Sequence, residues 1–114
     1  GLGEAVKLGA AEATVTTPGY LSIPAFINGA EQKIILQWAT PVINGTEKAG
    51  TILFPVAFPT TCLIALPIDA ISGGNIGTAN LAWDIKTTTK TELGWAASLP
   101  ADSIGSFVYL AIGY

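Results

Sequence analysis

Short runs with a two-residue period dominate the hydrophobic pattern of this chain, and turn residues separate them. Lys33–Thr40 (KIILQWAT) places Ile34, Leu36 and Trp38 on one face and Ile35, Gln37 and Ala39 on the other. That alternation is the mark of a strand. Thr51–Phe54 is a second β-branched run, stopped by Pro55, and Cys62–Ile68 is apolar at nearly every position except Pro67. A run apolar on both parities predicts a strand buried on both faces. Asn80–Thr89 sets Leu81, Trp83 and Ile85 against Ala82, Asp84 and Lys86. Glu92–Ala97 puts Leu93 and Trp95 on one side. The turn signals are Asn28-Gly29, Asn44-Gly45, Gly73-Gly74-Asn75 and Gly77, and Asn-Gly is a strong hairpin signal because both residues tolerate positive φ. The pattern predicts an all-β chain, a single β-sandwich of about six to eight short antiparallel strands, with no helix after residue 18.

Phe107–Tyr114 (FVYLAIGY) is apolar or small throughout and uncharged. It reads as a strand tied into the core, since so apolar a segment would be insoluble if it frayed. Pro55 and Pro59 bracket Val56-Ala57-Phe58, and proline is confined to edges, ends and bulges of sheets. Phe54–Pro59 is therefore a kinked connection whose two Phe side chains plug the core. Residues 1–18 stand apart as a connector in which the Ala/Glu/Lys stretch allows a helical turn. Residues 19–114 form the domain.

Composition changes the picture in one respect. Half of the 114 residues are hydrophobic and 11% are charged, against about 25% charged in ordinary domains. A small domain with so few charges must cover part of its surface, which points to a homo-oligomer. The net charge is −3, with five Lys and no Arg, so there is no basic footprint for nucleic acid. No uncharged apolar run is long enough for a membrane-spanning helix, and no signal-peptide pattern opens the chain. The chain starts at Gly1 rather than Met, which reads as a piece of something longer. Cys62 is the single cysteine, so no internal disulfide is possible.

Several blocks resemble the C-terminal domain of bacteriophage and prophage tail fibres. They are Gly19-Tyr20-Leu21-Ser22-Ile23-Pro24, Ile34-Ile35-Leu36-Gln37-Trp38, Thr51–Pro59 with Cys62 three residues on, and the closing Ala111-Ile112-Gly113-Tyr114. Gly1–Lys7 is similar to a segment that recurs in fibre shafts upstream of the tip. Ala39-Thr40 departs from the Gly that commonly follows the Trp, Tyr109-Leu110 from the usual aromatic pair, and Leu93-Gly94-Trp95 from a Gly-Phe. The resemblance implies a distal fibre domain on a virion, made in the host cytoplasm and joined to the shaft through residues 1–18. It also implies a homotrimer that adsorbs the particle to a bacterial surface. The receptor would be a cell-surface glycan (lipopolysaccharide or capsule) or an outer-membrane protein. Trp38, Phe54, Phe58, Phe107, Tyr109, Ile112 and Tyr114 are expected at the core or the subunit interface. In the closing strand the even set Val108, Leu110 and Ile112 and the odd set Phe107 and Tyr109 would serve different partners, one the home sandwich and the other a neighbour.

The chemistry available is narrow. With no His, Ser-His-Asp and Cys-His machinery is out. Cys62, at the start of an apolar run, reads as a small core hydrophobe. Eight carboxylates remain, and a glycan hydrolase would need two of them facing across a cleft; solvated loop acids are the plainer reading. Asp69 and Asn75 match no specific cation motif, so no metal and no cofactor is expected. Loops rich in Asn, Asp, Ser, Thr and Gly are the expected recognition surface: 43–50, 69–80, 87–91 and 97–106. The receptor-binding candidates are Asn44, Thr46, Asn75, Asn80, Asp84, Trp83 and Trp95. For Trp83 and Trp95, packing competes with stacking on a sugar. Two alternatives stand beside a receptor-binding tip: a purely structural domain that trimerises and caps the fibre, and a small glycan-cleaving enzyme.

Overall fold

The computed structural model describes residues 9–70 and 80–114. The Gly73–Gly77 turn signal and Asn75 lie outside the described residues, as does the Gly1–Leu8 part of the connector. The strands among the described residues are β1 (Glu12–Thr14), β2 (Gly19–Ile27), β3 (Ala30–Ala39), β4 (Ala49–Leu53), β5 (Cys62–Asp69), β6 (Leu81–Trp83), β7 (Glu92–Ala97) and β8 (Phe107–Gly113), joined there by a short helix, α1 (Ala101–Ile104). They form a five-stranded sheet, β1-β2-β3-β8-β5, and a three-stranded sheet, β4-β7-β6. Every strand pairing is antiparallel. The all-β sandwich expectation holds.

β2 and β3 form a hairpin from Gly19↔Trp38 to Ile27↔Ala30. Its two-residue turn has positive φ at both Asn28 (52°) and Gly29 (83°), the conformation that matches strand twist. β8 is an interior strand of its sheet, fourth of the five. It pairs with β3 on one side and β5 on the other, and its burial alternates: Phe107, Tyr109, Ala111 and Gly113 are buried, while Val108, Leu110 and Ile112 are not fully covered.

The core lies between the sheets. Phe54 and Phe58 meet edge to face at 5.0 Å, and Phe54 meets Tyr109 at 6.0 Å, so the kinked segment does plug the core. Trp95 of the small sheet packs on Phe107 at 6.2 Å. Gln37 is the polar member of this interior. It is fully buried, its Nε2 donates to the Val56 carbonyl at 2.7 Å, and its Oε1 accepts from the Val56 N–H at 2.9 Å. One side chain thus satisfies both backbone groups of a residue trapped between two prolines, where no strand can reach them.

Glu12–Thr14, within the stretch read as a connector, pairs on β2 as an edge strand. Four expectations need correction. Asn44-Gly45 does not close a hairpin, because β3 and β4 belong to different sheets; the pair turns the crossover between them, with Gly45 at φ 107°. The run Asn80–Thr89 keeps strand geometry only over Leu81–Trp83. At Asp84 the chain folds back: Oδ1 accepts from the Lys86 N–H at 3.0 Å, and the carbonyl accepts from Thr88 Oγ1 at 2.7 Å. Ile85 therefore points to solvent. α1 was not anticipated, since four residues hold too little periodicity to register. β5 is not buried on both faces within one chain: Ala65 is buried, while Leu63, Ile64, Leu66 and Ile68 are exposed.

Candidate functional site

Two surfaces stand out. The first is the outer face of the large sheet. Residues paired directly across an antiparallel ladder share a face, and here they form apolar rows. Trp38, Leu110 and Leu66 make one row, Leu36, Ile112 and Ile64 the next, and Val108 with Ile68 a third. Trp38, Leu66, Ile68, Val108 and Leu110 line an almost wholly apolar groove of about 340 Å³. Leu66 is 48% and Ile68 61% exposed, so the rows form a continuous apolar patch and not scattered single residues. Trp38 belongs to this face and not to the inter-sheet core. Its ring lies over Gly19, where a Cβ would come within 2.7 Å of Cε2, and its Nε1 donates to the Thr16 carbonyl at 2.8 Å. Ile112 shares the face, whereas Phe54, Phe58, Phe107 and Tyr109 lie inside. The Tyr114 backbone is tied to Thr60 and Thr61, whose N–H groups donate to its carbonyl at 2.7 and 2.8 Å.

The second surface is a cleft of about 310 Å³ beside the crossover loop. Its floor is Ile43, Ala101 and Trp95, all buried, and its rim carries Asn44, Glu47 and Thr51, all exposed. The loop is laced to α1. The Asp102 N–H donates to the Gly45 carbonyl at 2.9 Å, while Asp102 Oδ1 accepts from the Gly45 N–H at 2.6 Å. The Ala101 N–H donates to the Glu47 carbonyl at 2.8 Å.

The sequence-derived candidates divide accordingly. Asn44 and Trp95 meet at this cleft. Thr46 is exposed on the same loop but does not line it. Trp95 is 3% exposed, so its ring face is closed to stacking and only an edge can meet a ligand. Trp83 pairs with Trp95 across β6 and β7 and is half-buried, its Nε1 donating to Thr88 Oγ1 at 2.7 Å. Asp84 spends its carboxylate on the turn. Asn80 is held to Ser98, whose hydroxyl accepts from the Asn80 N–H at 2.9 Å. Glu47, Gly50 and Thr51 were not singled out; only their membership of a polar loop or of its flank could have flagged them.

The Cys62 thiol is half-buried, is pushed up by that burial and donates weakly to the Ile64 carbonyl, an environment that suppresses the reactive thiolate. Among the described residues no group of three or more His, Cys, Asp or Glu could hold a metal ion, and no helix is long and apolar enough to cross a membrane.

The sandwich thus threads its last strand between two others and leaves one sheet face apolar. The chain belongs to the C-terminal domain family of gp53-like tail fiber proteins, whose family model matches residues 32–114, and so is a fibre domain of a phage or phage-tail-like particle. It is 35% identical to the uncharacterized protein StfP of Escherichia coli K12, over 100% of this chain and 54% of StfP, so it spans about half the length of that relative. Among solved structures it resembles the Pseudomonas aeruginosa R2 pyocin fibre, with TM-score 0.66, 20% identity, and coverage of 93% of this chain and 26% of that one. It also resembles the R1 pyocin fibre of the same organism, with TM-score 0.65, 22% identity, and coverage of 93% and 28%. An N-truncated R1-type pyocin tail fibre gives TM-score 0.64 at 21% identity, covering 97% of this chain and 92% of that one. At these identities the likeness speaks for the fold.

Proposed function

We propose that this chain is the distal, receptor-binding domain of its fibre, that it works as a homotrimer, and that it attaches the particle to a bacterial surface glycan (lipopolysaccharide or capsule), with an outer-membrane protein as the second choice of receptor. It binds and does not cleave. The observation that carries this reading is the apolar outer face of the β3-β8-β5 sheet. Such a face asks for a partner along the fibre axis, and three copies assembled through it would each present the polar loops outward. The number three rests on the tail-fibre resemblance. Contacts that are weak singly give useful avidity when repeated around the axis and over several fibres.

The test is competition. The purified domain, trimeric by sedimentation, is expected to slow adsorption of the parent particle to its host. Trimers that leave adsorption untouched would overturn the reading. A second reading, a domain that only closes and caps the fibre, draws on the interior position of β8, between β3 and β5. Exchanging residues 43–50 for those of a relative with another host separates the two. A changed host range supports recognition, and an unchanged one with intact trimers supports capping.

A further inference from the structure

We propose that the cleft lined by Ile43, Asn44, Glu47, Gly50, Thr51 and Trp95 is a subsite for a single neutral or amino sugar ring, one that discriminates against anionic sugars. The inference rests on the receptor-binding reading above and names the ligand chemistry of one site within it.

Size comes first. A volume of about 310 Å³ is at the small end of ligand pockets, about 300–1,000 Å³, which suits a sugar ring and not an extended chain. The walls are preformed. Besides the Asp102–Gly45 pair and the Ala101–Glu47 bond, the Ile43 N–H donates to the Gly105 carbonyl and the Ala97 N–H to the Lys48 carbonyl, each at 2.8 Å. Residues 43–48 are thereby fixed at both ends and in the middle, so little ordering cost is left for binding.

The floor is apolar but is not sealed. A Cβ at Gly50 would stand 3.2 Å from Trp95 Nε1 and 3.3 Å from two of its ring carbons. Glycine there keeps that edge of the indole uncovered, and Trp95 accordingly lines the cleft although it is almost wholly buried. There a sugar hydroxyl can accept from the indole N–H. On the rim, Asn44 offers an amide, Thr51 a hydroxyl and Glu47 a carboxylate, a mixed donor and acceptor set matched to hydroxyls and, at Glu47, to an amine. No Lys is among the lining residues. A carboxylated or phosphorylated sugar would meet Glu47 without a compensating cation, a like-charge penalty that sets specificity.

The experiment titrates the intact chain, labelled with ¹⁵N, with methyl glucoside, methyl galactoside, glucosamine and glucuronate. Saturable shifts of the Trp95 indole N–H and of the Gly50 and Thr51 amides are expected in the roughly millimolar range of weak single-site binding. At least one neutral or amino sugar should give them, and glucuronate should bind roughly tenfold more weakly or not at all. Asn44→Ala and Thr51→Val should weaken binding about fivefold each, Gly50→Ala should abolish it by covering the indole edge, and Glu47→Gln should narrow the gap to glucuronate. Unchanged spectra away from the cleft verify that each variant is folded. Shifts centred on Trp38 or Trp83, equal binding of glucuronate, indifference to Asn44→Ala, Thr51→Val and Gly50→Ala, or no shift with any sugar would each overturn the proposal. Adsorption competition separates its failure from that of the parent reading. If the wild-type chain and Gly50→Ala block adsorption equally, the cleft is not the subsite and receptor binding stands; if the wild-type chain does not block, receptor binding itself fails.

Discussion

Gln37 and Tyr109 show how polar atoms are treated in this core, and they are treated in opposite ways. Both atoms of the Gln37 amide are used on Val56. Replacing it by Leu would strand a buried N–H and a buried carbonyl, each costing about 1–3 kcal/mol. Gln37→Leu is expected to lose about 2–5 kcal/mol in urea unfolding, and a near-neutral result would show that Val56 finds water instead. The Tyr109 hydroxyl is buried with no partner among the described residues, and burial pushes its pKa up to about 12 from the model-compound 10. Neutral phenol is the folded form. Its contribution is fully present below pH 10, the unfolded value, and is lost as pH rises toward 12, because the unfolded chain gives up its proton first. Tyr109→Phe should be neutral or slightly stabilising at pH 7, with a smaller fall in stability between pH 10 and 12, read from melting temperature against pH. The parity of residues 33–40 was legible in the sequence, but which parity is interior was not. The three larger apolar residues Ile34, Leu36 and Trp38 face outward, and the set containing Gln37 faces in. Only the Val56 backbone, 19 residues away in sequence, makes that choice affordable.

At the level of elements, β8 matters most. It supplies the ladder to both β3 and β5, and the residue after it ties down Thr60 and Thr61. Deleting Ala111–Tyr114 is expected to give aggregated or unfolded chains, since two neighbours lose their partner and become sticky edges; a soluble trimer of that truncation in sedimentation would contradict this. Strand positions were legible in β3, β7 and β8, where apolar and polar positions alternate or the run is wholly apolar. They were misread where a side chain redirects the backbone. Asp84 captures the Lys86 N–H and turns a run that is hydrophobically perfect for a strand, and α1 is held by bonds to Gly45 and Glu47 of the crossover loop, which are non-local to the pattern.

For the whole molecule, the question is what covers the outer face. Low charge and high apolar content pointed to a covered surface, and the register puts an apolar face on the outside of the large sheet, the face proposed above as the subunit contact. Leu66→Glu and Leu110→Glu replace paired residues on that face and touch no interior contact. Each is expected to give a folded, soluble monomer by circular dichroism and sedimentation. A trimer that survives both would move the interface elsewhere. The cleft was only half legible. Its loop was named for composition, but the meeting of residues 43–51 with Trp95 and Ala101 depends on a crossover between sheets that no local pattern encodes.

The place of β8 also bears on how the chain comes off the ribosome. β3 is made long before β5, and the strand that must lie between them is made after both. The large sheet therefore cannot be completed until β8 has been made, and its pairings are long in sequence, which slows folding. A chain that stops before β8 has two sheet halves with nothing to join them. On the assembly proposed above such a chain could not take its place beside finished neighbours, so strand order would act as proofreading: only translation carried through β8 completes the face by which subunits meet.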